Sequence, residues 1–512
     1  MKHVISIRDF SRADLDSLII EALENKRRGI QNSFSGKKVA SLFFENSTRT
    51  RVSSETALQE LKFYVNGFSS VEGTSVKKGE PLKDTLTMFV RYGYDAIIIR
   101  HPLEGAARYA ADLFGDEIGI VNAGDGSNTH PTQTQLDLMT IVEKHGKIDG
   151  LKIAMVGDLK YGRTTHPLLQ ALELYDSEVW LVSPDALRMP EWRIQDYQNA
   201  TGKKPIITDD FIEAIRNVDV IYMTRIQRER FPEGPDGQTE YEKVSGIYNL
   251  AAEMLKEANP NLIVMHPLPR YKHNLEISMD VDDTPHAWYF NQAENGLYMR
   301  EAIFNRVFGK GFVGRTREQV ESNGLWQDIP RNPNKLGKIG KRLLYRLDDG
   351  TLIDHIEPGR AEFIKHLLGL GNLDTEIVYP EGLNSHGHGI KKGVLAINQR
   401  YLTDQQLSML GLLTQTATVN IIKERKVVRK GRIILPSVFK GELQCQNHNC
   451  ITWPDHYEHV TSLFYLEQRD PLRMRCHNCE RPIGRGGIAD AIEEPIMKSI
   501  RQRYHQSCRN GN

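Results

Sequence analysis

Between residues 37 and 300 short apolar runs recur, each followed by a polar turn and then by a stretch of helical periodicity; this alternation restricts the fold more than any other feature. Lys38 to Phe44 reads KVASLFF, a run short enough for a buried strand, and Arg51 to Lys62 behind it has helical spacing. The strand signal returns at Tyr94–Ile99, Leu151–Val156, Glu178–Val182, Val218–Met223 and Leu262–Met265, with helical segments such as Thr165–Leu174 and Asp209–Asn217 between. Strands buried on both faces and joined through helices form parallel sheets. The length of the alternating region predicts two such doubly wound α/β sheets, divided near 135–150, with a cleft between them.

The pattern changes after Phe308. Residues 309–341 are rich in Gly, Asn, Pro, Arg and Lys and read as a linker. From Arg342 a different order begins. LLYRLDDGTLIDHI reads as two strand pieces about a turn at Asp349-Gly350, Gly359–Leu370 as a helix, and Glu376–Tyr379 and Gly393–Ile397 as strands. Asp404–Leu413 then reads as a helix and Ala417–Val428 as one strand. That is a small α+β, ferredoxin-like domain ending near Pro436. The expected organisation is therefore 1–137 and 138–308 as two lobes, 309–341 linker, 342–436 α+β domain, 437–485 metal-binding β subdomain, and 486–512 a C-terminal extension.

Lys plus Arg and Asp plus Glu number 66 each, so the net charge is zero and any anion site must be local. This balance argues against a nucleic-acid binder or a membrane-surface protein. No apolar run approaches the roughly 20 residues of a membrane span. The start, MKHVISIRDFSRADLDSL, lacks an apolar leader core and reads as a helix entry capped by Asp9 or Ser11; a cytoplasmic location is expected. All five cysteines lie late in the chain. Cys445-x4-Cys450, 25 residues, then Cys476-x2-Cys479 is the spacing of a tetrathiolate zinc site, with Cys508 left as a free thiol.

Chemistry concentrates at strand ends. Glu45-Asn46-Ser47-Thr48-Arg49-Thr50-Arg51 lies between a strand and a helix. Unpaired helix N–H groups, hydroxyls and a guanidinium fork meet there, as an anion requires. Arg100-His101-Pro102 follows YDAIII, and Asn128-Thr129-His130-Pro131-Thr132-Gln133 follows the glycine-rich NAGDG. These groups fit a phosphorylated carbonyl compound better than a mononucleotide, because no Walker-type GxxxxGK[ST] is present. In the second lobe Arg163, Arg225 with Gln227, and His266-Pro267-Leu268-Pro269-Arg270 follow successive strands. Two arginines at strand ends suit a dicarboxylate.

Taken in order, FFENSTRTR, SVKKGE, RHPLEGAAR, NAGDGSNTHPTQTQLDL, AMVGDLKYGRT, YMTRIQRER, HPLPR and TPHAWYFNQAENG resemble the catalytic chain of the aspartate carbamoyltransferase family over residues 1–308. LIDHI, QTATVN, CxxxxC and CxxCE make residues 342–482 similar to its regulatory chain. The resemblance implies transfer of the carbamoyl group from carbamoyl phosphate to L-aspartate in pyrimidine biosynthesis, with no catalytic metal and one structural zinc on Cys445, Cys450, Cys476 and Cys479. It assigns Ser47, Thr48, Arg49, Thr50 and Arg100 to the phosphate, His130 to the carbamoyl oxygen, Gln133 to the carbamoyl nitrogen, and the Leu268 carbonyl to placing the carbamoyl group. Arg163, Arg225 and Gln227 fall to aspartate. Ser75 and Lys78 would come from a neighbouring subunit, which implies a homotrimer with shared sites and leaves a hexamer open. The SVKKGE loop is one residue shorter than the usual pattern, leaving Lys77 and Lys78 as alternatives. Asp354, His355 and Lys430 match positions that hold the nucleotide effectors ATP and CTP. Ala396 stands where a lysine is usual and Asp348 where a basic residue is usual, so weak or altered nucleotide control is expected. Transcarbamoylases acting on ornithine usually carry Cys at the place of Pro267 and lack the Arg225 motif.

Overall fold

The computed structural model describes residues 2–226, 235–244, 246–272, 275–315, 325–329, 347–357, 360–370, 377–378, 383–384, 391–414, 416–488 and 491. The chain divides into two compact units, Met1–Thr316 with Asn449–Ile451, and Arg317–His448 with Thr452–Asn512.

Among the described residues the first unit holds nine strands: β1 Lys38–Phe43, β2 Tyr64–Phe68, β3 Ala96–His101, β4 Gly119–Asp125, β5 Lys152–Val156, β6 Glu178–Val182, β7 Ile206–Thr208, β8 Val220–Met223 and β9 Ile263–Met265. They form two sheets, ordered β2-β1-β3-β4 and β7-β6-β5-β8-β9, and every pairing in them is parallel. The expected strands and helices of this unit are all present. Three strands carried no clear sequence signal. β2 is an edge strand with no buried residue, β4 has its apolar run broken by Asn122 and Gly124, and β7 has only three residues.

The α-helices that accompany these strands are α1 Arg12–Arg28, α2 Thr48–Glu60, α3 Leu82–Arg91, α4 Ala106–Phe114, α5 Pro131–His145, α6 Thr165–Leu172, α7 Glu191–Thr201, α8 Phe211–Asn217, α9 Pro235–Val244 and α10 Tyr289–Phe308. Ser11 caps α1 through a reciprocal capping box with Asp14, which satisfies helix-end donors. The long α10 runs back across the unit and packs on α1, α2 and α5. Its Met299, Ile303 and Phe304 join the same apolar core as Phe43, Leu58 and Leu138. Helix α5 runs through position 137, the point at which the sequence reading divides the lobes.

Each sheet reverses its strand order once, between β1 and β3 and between β5 and β8. Open α/β sheets bind ligands at such points, beyond the carboxyl ends of the strands. The loops leaving β1, β3, β5, β8 and β9 carry the polar motifs read from the sequence.

The second unit has an antiparallel sheet of β10 Trp326–Asp328, β11 Gly350–Ile356, β12 Ile377–Val378, β13 Leu383–Asn384, β14 Lys391–Asn398, β15 Thr418–Lys423 and β16 Lys426–Ile433. Its order is β10-β16-β15-β11-β14-β12, with β13 beside β14. Helices Ala361–Leu367 and Asp404–Leu413 lie within the same stretch. Two sequence expectations are corrected here. The strand read over Ala417–Val428 is a hairpin, β15 and β16, turning at Glu424 and Arg425, which both have positive φ. A two-residue hairpin turn of this hand usually announces itself with Asn or Gly, and neither is present. Trp326–Asp328, read as linker, pairs with β16 as an edge strand. The piece 342–346 before the Asp349-Gly350 turn lies outside the described residues.

A second antiparallel sheet, β17 Val438–Lys440, β18 Leu463–Gln468, β19 Arg473–Cys476 and β20 Pro482–Gly484, carries the cysteines. Of the C-terminal extension only 486–488 and 491 are described; Cys508 lies outside the described residues.

Candidate active site

A cavity of ≈ 380 Å³ opens where the strand-end loops of the first unit converge. It lies within the size range of small-molecule sites. Its walls include Ser47, Thr48, Arg49, Thr50, Arg100, His130, Gln133, Arg163, Arg225 and Leu268, ten of the residues singled out from sequence. They come from both lobes. Ser75 and Lys78 lie on an exposed single turn, Ser75–Lys78, and are not among the residues of this wall. Lys77 there is paired with Glu72 at 2.8 Å. Gln227 lies outside the described residues.

The anion-binding face forms where β1 runs into α2. Ser47 is the N-cap, and its side chain makes no capping hydrogen bond. The hydroxyl and the first N–H groups of the helix are therefore not consumed by a cap. Partial loss of hydration lowers the pKa of the Arg49 guanidinium, the sign expected where a cation loses water. Arg100, at the end of β3, donates from Nη1 to the Ala123 carbonyl at 3.2 Å and from Nη2 to Glu45 Oε1 at 3.1 Å. Gly124 lies beside it with φ +115, and a Cβ there would stand 3.2 Å from Arg100 Nη1 and 3.4 Å from His130 Cδ2.

His130 is 4 % exposed. Its Nε2 lies 3.4 Å from Thr50 Oγ1 and its Nδ1 3.3 Å from Thr132 Oγ1. Burial, then the charges of Arg100, Arg163 and Arg300, lower its pKa well below the ordinary value. The imidazole is thus neutral near pH 7, a hydrogen-bonding dipole and not a cation.

The second lobe faces this wall with arginines. Arg163 forks onto Glu45, Nη1 to Oε2 at 3.0 Å and Nη2 to Oε1 at 3.1 Å, and Nη1 also reaches the Gly126 carbonyl at 3.1 Å. Glu45 thereby clamps Arg100 of the first lobe and Arg163 of the second. Arg225 follows β8 next to Thr224, whose hydroxyl accepts from Asp158 N at 2.8 Å and donates to the Val156 carbonyl at 2.8 Å. After β9 the chain passes through His266-Pro267-Leu268-Pro269, with a cis Leu268–Pro269 bond and Leu268 at φ 49. His266 Nδ1 accepts from Leu268 N at 2.7 Å. Burial drives the His266 pKa down to about 3, so this acceptor persists at neutral pH. Arg270 is held away by a fork onto Asp282 at 2.7 and 2.9 Å.

Sequence reasoning did not select several residues of this wall, among them Glu45, Asp158, Thr224, His266, Gln292 and Arg300. Glu45 stood inside a quoted motif, and its value as a shared counter-charge shows only once Arg163, 118 positions away, folds onto it. Arg300 comes from the buried face of α10, a helix that reads as core.

In the second unit Asp354 accepts from Lys392 Nζ at 2.6 Å. His355 lies beside it at φ 65. Burial lowers the His355 pKa, with Lys392, Lys430 and Arg432 adding to the effect and Asp354 opposing it. Asp354, His355 and Lys430 are thus electrostatic neighbours. Lys392 was not singled out from sequence. Ala396 is buried in β14. Asp348 pairs with Arg425 at the β15–β16 turn.

Cys445, Cys450, Cys476 and Cys479 are buried with their sulfurs within 4.8 Å of one another. Cys445 and Cys479 sulfurs lie 3.6 Å apart. Four sulfurs at about 2.3 Å from a tetrahedral ion stand about 3.8 Å apart, so this donor set fits a metal of that kind. His448 stacks on Trp453, ring centroids 4.0 Å apart. Among the described residues no helix is long and apolar enough to cross a membrane.

Comparisons with known proteins agree with this layout. Residues 2–143 match the carbamoyl-phosphate-binding domain of aspartate/ornithine carbamoyltransferases and 149–307 their Asp/Orn-binding domain. Residues 343–434 match the allosteric domain of the aspartate carbamoyltransferase regulatory chain and 437–489 its metal-binding domain. The aspartate carbamoyltransferase catalytic subunit of Thermococcus kodakarensis is 51% identical over 312 residues, 60% of this chain and 97% of that protein. That of Chromobacterium violaceum is 47% identical over 309 residues, 60% and 98% of the two chains. Aspartate transcarbamoylase from Trypanosoma cruzi in complex with carbamoyl phosphate superimposes with TM-score 0.55 at 37% identity, covering 59% of this chain and 95% of that one. The catalytic subunit of M. jannaschii aspartate transcarbamoylase gives TM-score 0.53 at 44% identity over 60% and 98%. The chain therefore belongs to the aspartate carbamoyltransferase family, with the domains of the catalytic chain and of the regulatory chain joined in one polypeptide.

Proposed function

We propose that the chain transfers the carbamoyl group of carbamoyl phosphate to the amine of L-aspartate, giving N-carbamoyl-L-aspartate and phosphate. The observation that carries this reading is one cavity walled by Arg49, Arg100, Arg163 and Arg225 around a buried imidazole, His130. Two anionic substrates need that many cations, and a developing oxyanion needs donors that lose no water during the reaction. Ser47, Thr48, Arg49, Thr50 and Arg100 hold the phosphate. His130 and Thr50 serve the carbamoyl oxygen, Gln133 and the Leu268 carbonyl the carbamoyl nitrogen, and Arg163, Arg225 and Gln227 the aspartate carboxylates.

The amine nitrogen attacks the carbamoyl carbon, charge builds on the carbonyl oxygen, and the carbon–oxygen bond to phosphate breaks. The amine proton leaves with the departing phosphate. Holding both substrates in line is worth roughly 7–11 kcal/mol of the barrier, and each well-placed donor to the oxyanion about 3 kcal/mol. The T. cruzi enzyme, similar over the same lobes, has been crystallised with carbamoyl phosphate and aspartate together, and that supports this pairing of substrates.

Lys78 and Ser75 complete the site from a neighbouring copy, so the working unit is a homotrimer, with pairing of trimers into hexamers as its extension. The four thiolates hold one structural zinc. Asp354, His355, Lys392 and Lys430 form the basic patch at which a nucleotide such as CTP or ATP acts, weakly, because Ala396 supplies no cation there. Turnover of the purified chain with carbamoyl phosphate and L-aspartate, but not L-ornithine, tests the central reading. Turnover with ornithine alone would overturn it.

A further inference from the structure

Asp137 has no solvent exposure and sits on α5, one turn beyond Gln133. Three donors converge on it. Gln133 Nε2 reaches Oδ1 at 2.8 Å, Gln292 Nε2 reaches the same oxygen at 2.6 Å, and the Tyr222 hydroxyl reaches Oδ2 at 3.0 Å. Each donor leads to a different part of the cavity wall. Gln133 lines it directly. Gln292 accepts through Oε1 from the backbone N–H of His266 at 2.7 Å, the root of the loop that presents Leu268. Tyr222 is hydrogen-bonded to Thr164, which also lines the cavity.

The polarity of the network follows from its one unambiguous member. A backbone N–H can only donate, so Gln292 must offer its oxygen to His266 and its amide nitrogen to Asp137. Oδ1 of Asp137 must therefore accept, and it accepts from Gln133 as well. Without that acceptor the buried Gln292 amide and the partly buried Gln133 amide would lose their partner, and the carbonyl oxygen of either could turn into its place.

Resting on the carbamoyl-transfer reading, we propose that Asp137 is a positioning residue for that reaction: by accepting from both glutamines it sets the amide face of Gln133 and the height of the His266–Leu268 loop relative to each other across the cavity. It touches no substrate. The arrangement makes the two groups assigned to the carbamoyl nitrogen a single unit with one anchor. The charged or titratable groups facing Asp137 are Arg300 on α10 and Tyr222 on β8. Burial raises the Asp137 carboxyl to about 7, against the pull of its three donors. A protonated Asp137 can keep both amides on Oδ1 and donate from Oδ2 to Tyr222, reversing only that arm; asparagine can do the same.

The test compares Asp137→Ala, Asp137→Asn and Gln133→Ala by steady-state kinetics in both substrates. Asp137→Ala is expected to lower kcat on the order of a hundredfold, the effect of a misplacement of about 1 Å, and to raise KM for carbamoyl phosphate more than KM for aspartate. Combined with Gln133→Ala it should add little. Asp137→Asn should restore most of kcat and remove any change in kcat/KM near pH 7. If Asp137→Ala does not fold, Gln292→Met, which cuts only the loop arm, must raise the carbamoyl phosphate KM by itself. Full additivity with Gln133→Ala, a wild-type carbamoyl phosphate KM in Gln292→Met, or an asparagine variant as damaged as the alanine would each overturn the proposal. An inactive wild-type chain would instead bring down the transfer reading on which it stands.

Discussion

At the scale of single residues the site is governed by which charges burial permits. His130 stays neutral because it is buried, with Arg100, Arg163 and Arg300 nearby, so it can polarise a carbonyl without adding a further cation. His130→Ala should cost about 3 kcal/mol of transition-state stabilisation, seen as a fall of about a hundredfold in kcat with little change in KM for aspartate. A variant turning over at the wild-type rate would remove His130 from the chemistry. Glu45 holds Arg100 and Arg163 together with three contacts of 3.0–3.1 Å. Glu45→Gln keeps the shape and removes the charge. We expect roughly ten- to a hundredfold lower kcat/KM for aspartate, in line with about 1.5–3 kcal/mol for a hydrogen bond to a charged group; an unchanged value would show that the clamp does not orient Arg163. The residues that sequence motifs revealed are those that sit in unusual local company, such as STRT or HPLP. Asp137, Gln292 and Arg300 were invisible because their meaning is pairwise: Gln292 and Asp137 are 155 positions apart, and each alone reads as an ordinary polar residue within a helix.

At the scale of elements, strand ends do the positioning. The ends of β5 and β8 are pinned by Thr224 against Val156 and Asp158. Gly157 makes that approach feasible, since at φ +109 a Cβ would lie 2.6 Å from Thr224 Oγ1 and 2.9 Å from its carbonyl. Gly157→Ala should destabilise the first unit by about 1–3 kcal/mol and raise KM for aspartate, because Arg225 adjoins Thr224; an unshifted thermal midpoint would contradict the crowding. Buried runs such as KVASLFF were legible as strands because both faces of a parallel sheet are apolar. The same logic hid β2, an edge strand with no buried residue, and β10, three residues whose Trp326 packs under Arg429 at 4.5 Å. Among the cysteines, the sheet β17–β20 brings distant pairs together. Cys476→Ser, or stripping metal with a chelator, should abolish cooperative melting of the 437–484 segment, because metal affinity in such small sheets is folding energy. Retention of ordered amides there after metal analysis reads zero would refute a structural metal.

For the whole molecule, buried titratable groups link stability to pH. Burial raises Asp125 and Asp137 to about 7 and Glu301 to about 8. A folded carboxyl with a raised pKa keeps a proton that the unfolded chain releases near pH 4, so its penalty builds as pH rises from about 4 and is complete once pH passes the folded value near 7 or 8. His130 and His266 act in the opposite sense. Their lowered values mean the unfolded chain gains protons first, so stability falls as pH drops below about 6.5. The melting temperature should therefore rise from pH 8 to pH 6.5 and change less below it, where the histidines oppose the carboxyls. Calorimetry at fixed ionic strength gives the answer, and a melting temperature that falls over that upper interval would contradict the assignment of these carboxyls.

The two halves of the family's machinery are written here on one polypeptide. Separate chains that associate obey mass action, and their ratio depends on how much of each is made and how far the mixture is diluted. In this chain the ratio of one to one is set at translation, and no dilution separates the regulatory-type domains from the catalytic ones. A cell carrying it needs no balance between two messages, and a missing regulatory chain cannot be the cause of a partial activity.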